Sequence, residues 1–397
     1  MTQFFIARDN KPRMRFVAMI ALALAGVGIG VSDAAGGGAP AAVIGVTAAH
    51  ANNFKVIRLA VPRIYRRAGL DAQGNQAYLS APVTFTLPSN TVSFQLYMRG
   101  GDAEAACLNQ VLDPDNIDVL TLGRTSILDF GADYCSALIP QGPQFVAKPG
   151  RWQYQLEAFG RAPNDISVTL AVRTGPMPTN VSILKVKPFL ASGALRPADI
   201  RPALDEMRRI YEGAGITLQI LPTVVLKRPA FRIVSSAFTG TITRRLVMRG
   251  VTGAANLFFV DDFAGGASEV GIAAGLPGDL AGVRSNRNGV LIGLNAHLVS
   301  NLLNPNYLAE TAGHEMGHYL GLFHPTEEDG RQFDILNDTP KCPAAERDRD
   351  KDGMVSLQEC RGLGTTNIMF YMGNGVLRQT RITADQSHVV HYSPIAR

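Results

Sequence analysis

Charge is scarce in this chain. Only 18% of its residues are charged, and the formal surplus is +5. Removing the four basic and two acidic side chains of residues 1–34 lowers that surplus to +3. So small an excess, with no basic stripe and no aromatic stacking motif, argues against a nucleic-acid partner. Cysteine is rare as well, four in 397 residues, which excludes a small disulfide-dense scaffold. After Val31 no apolar run approaches the roughly 20 residues a bilayer-spanning helix needs, so no stable membrane span is expected once the leader is gone. No cysteine follows the first apolar run, which argues against a lipoprotein anchor. Disorder is not indicated either, because 46% of the residues are hydrophobic. The length suggests two or three domains with a sizeable core. Nothing in the sequence speaks to oligomeric state.

What is present begins with an export signal. Arg8, Lys11, Arg13 and Arg15 form a positive region, and Phe16 to Val31 is an apolar and glycine run. Ser32-Asp33-Ala34 then offers the small residues of a cleavage site. Residues 1–34 are therefore expected to be a signal peptide cut after Ala34, which places the protein outside the cell or in the periplasm. Ala49-His50-Ala51 is an alternative cleavage site, and an uncleaved anchor is the competing reading. Residues 35–51 read as an Ala/Gly-rich flexible leader.

From Phe54 to about Arg173 short alternating strands are separated by turn residues. Pro82–Leu87, Thr91–Tyr97, Trp152–Leu156 and Ile166–Val172 are the clearest. This stretch predicts an antiparallel β-sandwich, an accessory or pro-domain over residues 35–178. Thr174–Asn180 is a Pro/Gly linker. Beyond it Val181–Val186 predicts a strand and Pro197–Glu212 an amphipathic helix, with Ile200, Leu204, Met207, Ile210 and Tyr211 on one stripe. Strands are expected at Ile216–Leu221, Asn256–Val260, Gly271–Ala274 (an edge strand) and Gly289–Leu294. Asp261, Asp262, Gly265 and Gly266 form a loop that reads as a solvated turn rather than a calcium site. His297 stands outside any motif and is expected to be structural or at the surface.

The chemistry concentrates in His314-Glu315-Met316-Gly317-His318-Tyr319-Leu320-Gly321-Leu322-Phe323-His324, an H-E-x-x-H-x-x-G-x-x-H pattern. His314 and His318 lie one helical turn apart on the same face, with Asn304 as N-cap and Pro305 at the first helical position. Two such imidazoles can hold one zinc ion, and Glu315 can serve as general base toward water on it. Gly321 can take the left-handed conformation that ends the helix, so that His324 returns as third ligand. Three protein ligands leave a fourth position open, the mark of a catalytic zinc.

Downstream lies Asn367-Ile368-Met369-Phe370-Tyr371. The extended histidine motif followed by a methionine turn resembles the metzincin signature, which implies that Met369 packs beneath the ligands. Tyr371 has two readings, a phenol donating to the oxyanion of the scissile carbonyl and a packed tyrosine with a satisfied hydroxyl. Over about the last 130 residues the chain resembles the pappalysin family of secreted zinc peptidases. The resemblance rests on the histidine motif, Asn337-Asp338-Thr339-Pro340 followed by Cys342, then Cys360, Asn367–Tyr371 and Ile382–Gln386. Gly271–Gly278 and Gly289–Ile292 upstream look like that family's edge strand and the strand before its active helix. It implies an α+β fold: a metzincin-type catalytic domain over 179–397, with a twisted mixed sheet and an active-site helix. It also implies a secreted zinc metalloendopeptidase acting on protein or peptide substrates, with His314, His318 and His324 as ligands and Glu315 as base. No family pattern is recognised before residue 180.

The stretch between Cys342 and Cys360 departs from that family. Asp348-Arg349-Asp350-Lys351-Asp352-Gly353-Met354-Val355-Ser356-Leu357-Gln358-Glu359 fits D-x-[DN]-x-[DN]-G-x₅-E. It predicts an isolated Ca²⁺ loop using Asp348, Asp350, Asp352, the Met354 carbonyl, Ser356 and Glu359. Four cysteines allow three disulfide connectivities. Proximity favours Cys107–Cys135 and Cys342–Cys360, the second in keeping with the spacing of the resembled family. Free thiols, or a zymogen with Cys107 or Cys135 on the metal, are the alternatives. Two rivals to the peptidase stand: a non-catalytic exported calcium-binding adhesion or interaction protein with a relic zinc site, and a zinc amidase. The intact Glu315 speaks against the first.

Overall fold

A computed structural model describes residues 53–397 apart from 62–64, 71–73, 101–104, 121–127, 132–133, 161–165, 180, 266–268 and 283–284. The expected signal peptide and leader lie outside the described residues.

Residues 53–174 carry two antiparallel sheets of five strands each. One orders Asn53–Arg58, Ser167–Thr174, Thr91–Arg99, Tyr134–Ile139 and Leu128–Gly131. The other is built on Gly150–Phe159, with Ala105–Leu112 on one side and Val83–Leu87 and Gln76–Ser80 on the other. The alternation Trp152, Tyr154, Leu156, Ala158 puts every second residue of the long strand in the core, as the two-residue period of a strand requires. Trp152 meets Phe94 edge-on at 4.9 Å between centroids. A disulfide joins Cys107 to Cys135, one from each sheet.

Residues beyond 181 form a mixed sheet ordered Ile216–Ile220, Ser182–Ala191, Ala255–Val260, Val290–Gly293, Gly271–Ala273. All its neighbours are parallel except the last pair. The strand Ser182–Ala191 runs five residues further than the pattern predicts, because Lys187-Pro188-Phe189-Leu190-Ala191 is still paired, with Val186↔Ala255 through Ala191↔Val260. Both faces of the central strands are covered, which explains their continuous apolar runs. Leu257 and Phe259 face a core shared with the helices, while Phe258 and Val260 face a second core with Phe189, Phe231 and Leu246. Phe189 stacks on Phe258 at 4.7 Å, its partner in register.

The amphipathic helix spans Pro197–Glu212 as its pattern predicts, burying Ile200, Leu204, Met207, Ile210 and Tyr211. It packs along a second helix, Pro305–Leu320, which lies against the sheet. Asn304 caps that helix, its side chain accepting from the amides of Asn306 and Tyr307 at 3.2 and 3.1 Å. Leu138 of the β-rich segment is fully buried in the helix-side core, and Ile335 packs against that core and against the core of the β-rich segment.

Candidate metal centre

The helix Pro305–Leu320 is buried along almost its whole length, so its polar residues need a reason to be there. Two of its glycines supply room. A Cβ on Gly317 would overlap the sulfur of Met369, and one on Gly313 would lie 2.7 Å from Cδ1 of Ile368. The segment around Met369 therefore lies directly against the helix, with Met369 itself fully buried. Asn367 fixes that turn. It exchanges amide hydrogen bonds with Gln386 at 2.8 and 3.1 Å and accepts from the Met369 amide at 2.8 Å. Gly321 ends the helix in the left-handed conformation, φ 106°, and the chain doubles back.

The turn brings the three histidines together. Nε2 of His318 and Nε2 of His324 are 3.0 Å apart, and His324 Nε2 is 3.3 Å from His314 Nε2. On the far side of each ring Nδ1 has a protein acceptor: the Ile368 carbonyl for His314 and the Leu322 carbonyl for His318, both at 2.7 Å. His324 Nδ1 meets Oε2 of Glu327 at 3.0 Å. A carbonyl or carboxylate accepts, so each Nδ1 carries the proton and each Nε2 presents a lone pair. Burial, then the neighbouring imidazoles, pushes His314 down to about 3 and His318 well below its ordinary value. Three imidazoles thus aim their Nε2 atoms at one another, an arrangement that a cation between them would satisfy. The donor set fits zinc: three nitrogen ligands with outer hydrogen bonds that fix tautomer and ring orientation. Of these outer partners Glu327 escaped the sequence reading. It lies three residues from His324, outside any helix, where that offset alone carries no signal.

Glu315 lies beside this cluster, 1% exposed. Its carboxylate accepts from the Ala273 amide, and burial raises it to about 8. Oε2 is buried without a partner. The outermost strand comes so close that a Cβ on Gly271 would stand 2.8 Å from Cγ of Glu315. Tyr371 is buried too, its ring 6.4 Å from that of His324, and its hydroxyl donates to the Val355 carbonyl. Burial, then Glu328, Asp352 and Glu359, raises this phenol further above its ordinary range.

In the insertion, ligand oxygens of Asp348, Asp350 and Asp352 gather within 4.8 Å of one another. Gly353 takes φ 85° at the sharp turn. Glu359 is engaged differently: its carboxylate accepts from the amides of Arg349 and Ser356 and from the Ser356 hydroxyl at 2.7–2.8 Å. Those bonds hold it down to about 2. The Met354 amide donates to Asp352 at 2.8 Å. A disulfide between Cys342 and Cys360 closes the insertion, and none of the four cysteines is free. The other acidic turn is spent on the chain: Asp261 accepts from the Gly193 amide and Asp262 from the Phe263 amide. His297 is buried, bonded to the Gly293 carbonyl and the Thr311 hydroxyl.

No family model matches this chain, and no curated protein does. Solved structures give distant likenesses. Metalloproteinase-II from Bacteroides fragilis aligns at 12% identity over 56% of this chain and 61% of its own, with a TM-score of 0.33. Archaemetzincin from Methanopyrus kandleri aligns at 18% identity over 36% and 75%, TM-score 0.25, and myroilysin at 13% over 52% and 78%, TM-score 0.25. None of the three is named as a pappalysin. This chain spans about three fifths of the first of them. Scores at this level establish no shared fold, and the reading of the site rests on its own geometry.

Proposed function

We propose that the chain is an exported zinc-dependent endopeptidase of the pappalysin-like kind, with residues 1–34 as signal peptide and 179–397 as catalytic domain. The observation that carries it is the convergence of three Nε2 lone pairs, each backed by a protein acceptor on Nδ1, beside an orphaned buried carboxylate oxygen. His314, His318 and His324 would hold the ion. When bound, zinc supplies Lewis acidity, polarising a carbonyl and lowering the pKa of water from 15.7 toward about 7. The remaining work belongs to the chain. Glu315 accepts the proton of the attacking water at Oε2 and returns it to the leaving nitrogen. The Ala273 amide holds the other part of that carboxylate in place. The strand Gly271–Ala273, last in its sheet, pairs with an extended peptide and so selects protein substrates. Tyr371 contributes a phenol to the developing oxyanion once its bond to Val355 is exchanged. The insertion binds Ca²⁺ through the three aspartates, the Met354 carbonyl, Ser356 and Glu359, and the β-rich segment 35–178 is an accessory domain.

The deciding experiment digests a peptide library with purified protein, with and without a zinc chelator, and reads the products by mass spectrometry. Glu315→Gln keeps stoichiometric zinc and loses about 10²–10⁴-fold in turnover, the usual contribution of a general base. A variant that binds zinc and cleaves as fast as the parent would end the mechanism. A parent that binds zinc and cuts nothing would favour the adhesion protein.

A further inference from the structure

Three buried polar side chains of the β-rich segment reach across to backbone of the C-terminal half. Gln95, fully buried, donates to the Gly278 carbonyl at 2.6 Å and accepts from the Leu280 amide at 3.0 Å. Arg173 donates to the His391 carbonyl at 2.6 Å. The third, Gln141, is 2% exposed, and its Nε2 donates to the carbonyl of Gly321.

That last acceptor is the turn on which two of the three histidines depend. The Gly321 amide is held by Gly317 and His318 inside the helix, and the Leu322 amide by Gly317. The Leu322 carbonyl orients His318 through Nδ1, and His324 lies two residues beyond Leu322. The Gly321 carbonyl is a further handle on this turn, and the β-rich segment holds it. The same segment presses Leu138 against the turn, with its Cδ2 2.8 Å from where a Cβ on Gly321 would stand. Helix-end carbonyls have no partner inside the helix and must find one elsewhere.

We infer that Gln141 is a positioning residue for the metal centre, acting through the Gly321 carbonyl on the turn that aims His318 and His324. The β-rich segment is then a permanent brace of the site rather than a detachable cover. The inference rests on the zinc reading above, and the test separates the two.

Gln141→Met keeps the length and most of the volume of the side chain and removes the donor. Arg173→Met is the control, because it breaks an equally buried contact from the same segment at the His391 carbonyl, away from the turn. Zinc affinity is measured for the full chain against a competing chelator. The visible spectrum of the cobalt-substituted protein reports ligand geometry, and the unfolding of the metal-free protein reports stability. Gln141→Met is expected to raise the zinc dissociation constant about tenfold, the low end for outer partners of metal ligands, and to alter the cobalt spectrum. Arg173→Met is expected to lower stability and leave both metal readouts unchanged. The inference fails if Gln141→Met binds zinc within twofold of the parent, or if both variants weaken it equally. A metal-free Gln141→Met chain with no cooperative unfolding would assign the residue to the fold and overturn the inference as well. A parent that takes up no zinc would sink the reading of the site itself.

Discussion

Each histidine of the metal centre has one nitrogen answered by the protein, and the identity of that answer decides what the ring does. In His314, His318 and His324 the Nδ1 proton goes to an oxygen and Nε2 is left bare toward its neighbours. In His297 both nitrogens are answered: Nδ1 donates to the Gly293 carbonyl at 2.7 Å and Nε2 accepts from the Thr311 hydroxyl at 2.8 Å. His297 is therefore a structural cross-link with no free lone pair. Burial holds it down to about 4, well under its ordinary value. The sign follows from linkage. Between the ordinary value near 6.5 and about 4 the unfolded chain binds a proton that the folded chain refuses. Stability from His297 is thus complete above the unfolded value and drains away as pH falls through that window. At 1.36 kcal/mol per pKa unit the loss is on the order of 3 kcal/mol. Denaturant unfolding of the zinc-loaded protein at several pH values should show the parent losing stability more steeply between pH 6.5 and 4.5 than His297→Gln. Parallel slopes would show that the ring titrates freely in the fold.

At the scale of elements, the contact between the helix Pro305–Leu320 and the segment around Met369 sets two glycines apart from each other. In an exposed helix interior, Gly→Ala stabilises by about 0.8–1.0 kcal/mol. At Gly313 the obstacle is the Cδ1 tip of Ile368 at 2.7 Å, the end of a side chain that can move aside. At Gly317 it is the sulfur in the middle of Met369, itself pinned between the ligands' helix and the Asn367 turn. Overpacking of that kind costs about 1–3 kcal/mol, more than the propensity gain returns. Gly313→Ala should leave stability nearly unchanged, whereas Gly317→Ala should lose about 1–2 kcal/mol. Thermal unfolding of the metal-free variants measures the difference, and equal melting temperatures would contradict the packing described. This contact also marks how far the sequence could be read. The helix, its Asn304 cap and the Gly321 stop depend on neighbours within a few residues, and local chemistry writes them plainly. So do the strands with clean alternation. The bond from Tyr371 to Val355, the capture of Glu359 by amides of its own loop, and the entry of Leu138 into the helix-side core each depend on which segments meet in space. No spacing rule reaches those contacts. Even Glu327, three residues from the histidine it orients, becomes meaningful only once Gly321 has turned the chain.

Across the whole molecule the insertion is the part proposed to hold an ion of its own, and what matters is whether it is wired to the rest. It is. The Val355 amide donates to the Glu328 carbonyl at 2.8 Å, and Val355 accepts from Tyr371. The Cys342 amide donates to Thr326 at 2.9 Å, two residues from His324. A Cβ on Gly330 would fall 2.8 Å from Cγ1 of Val355. Ordering the loop therefore constrains the segment just after the third histidine, so an ion bound at Asp348, Asp350 and Asp352 should stabilise the fold as a whole. Loops of this kind outside cells bind calcium at about 10⁻⁴–10⁻³ M. For a single site, 10 mM calcium then adds about 1.4–2.7 kcal/mol by mass action. Calorimetry should show one main transition moving up by a few degrees when calcium is added. Asp352→Ala, which removes one of the three gathered carboxylates, should abolish that rise while its zinc content stays that of the parent. A melting temperature indifferent to calcium in the parent would mean the aspartates form only a solvated turn. A rise that persists in Asp352→Ala would place the ion elsewhere.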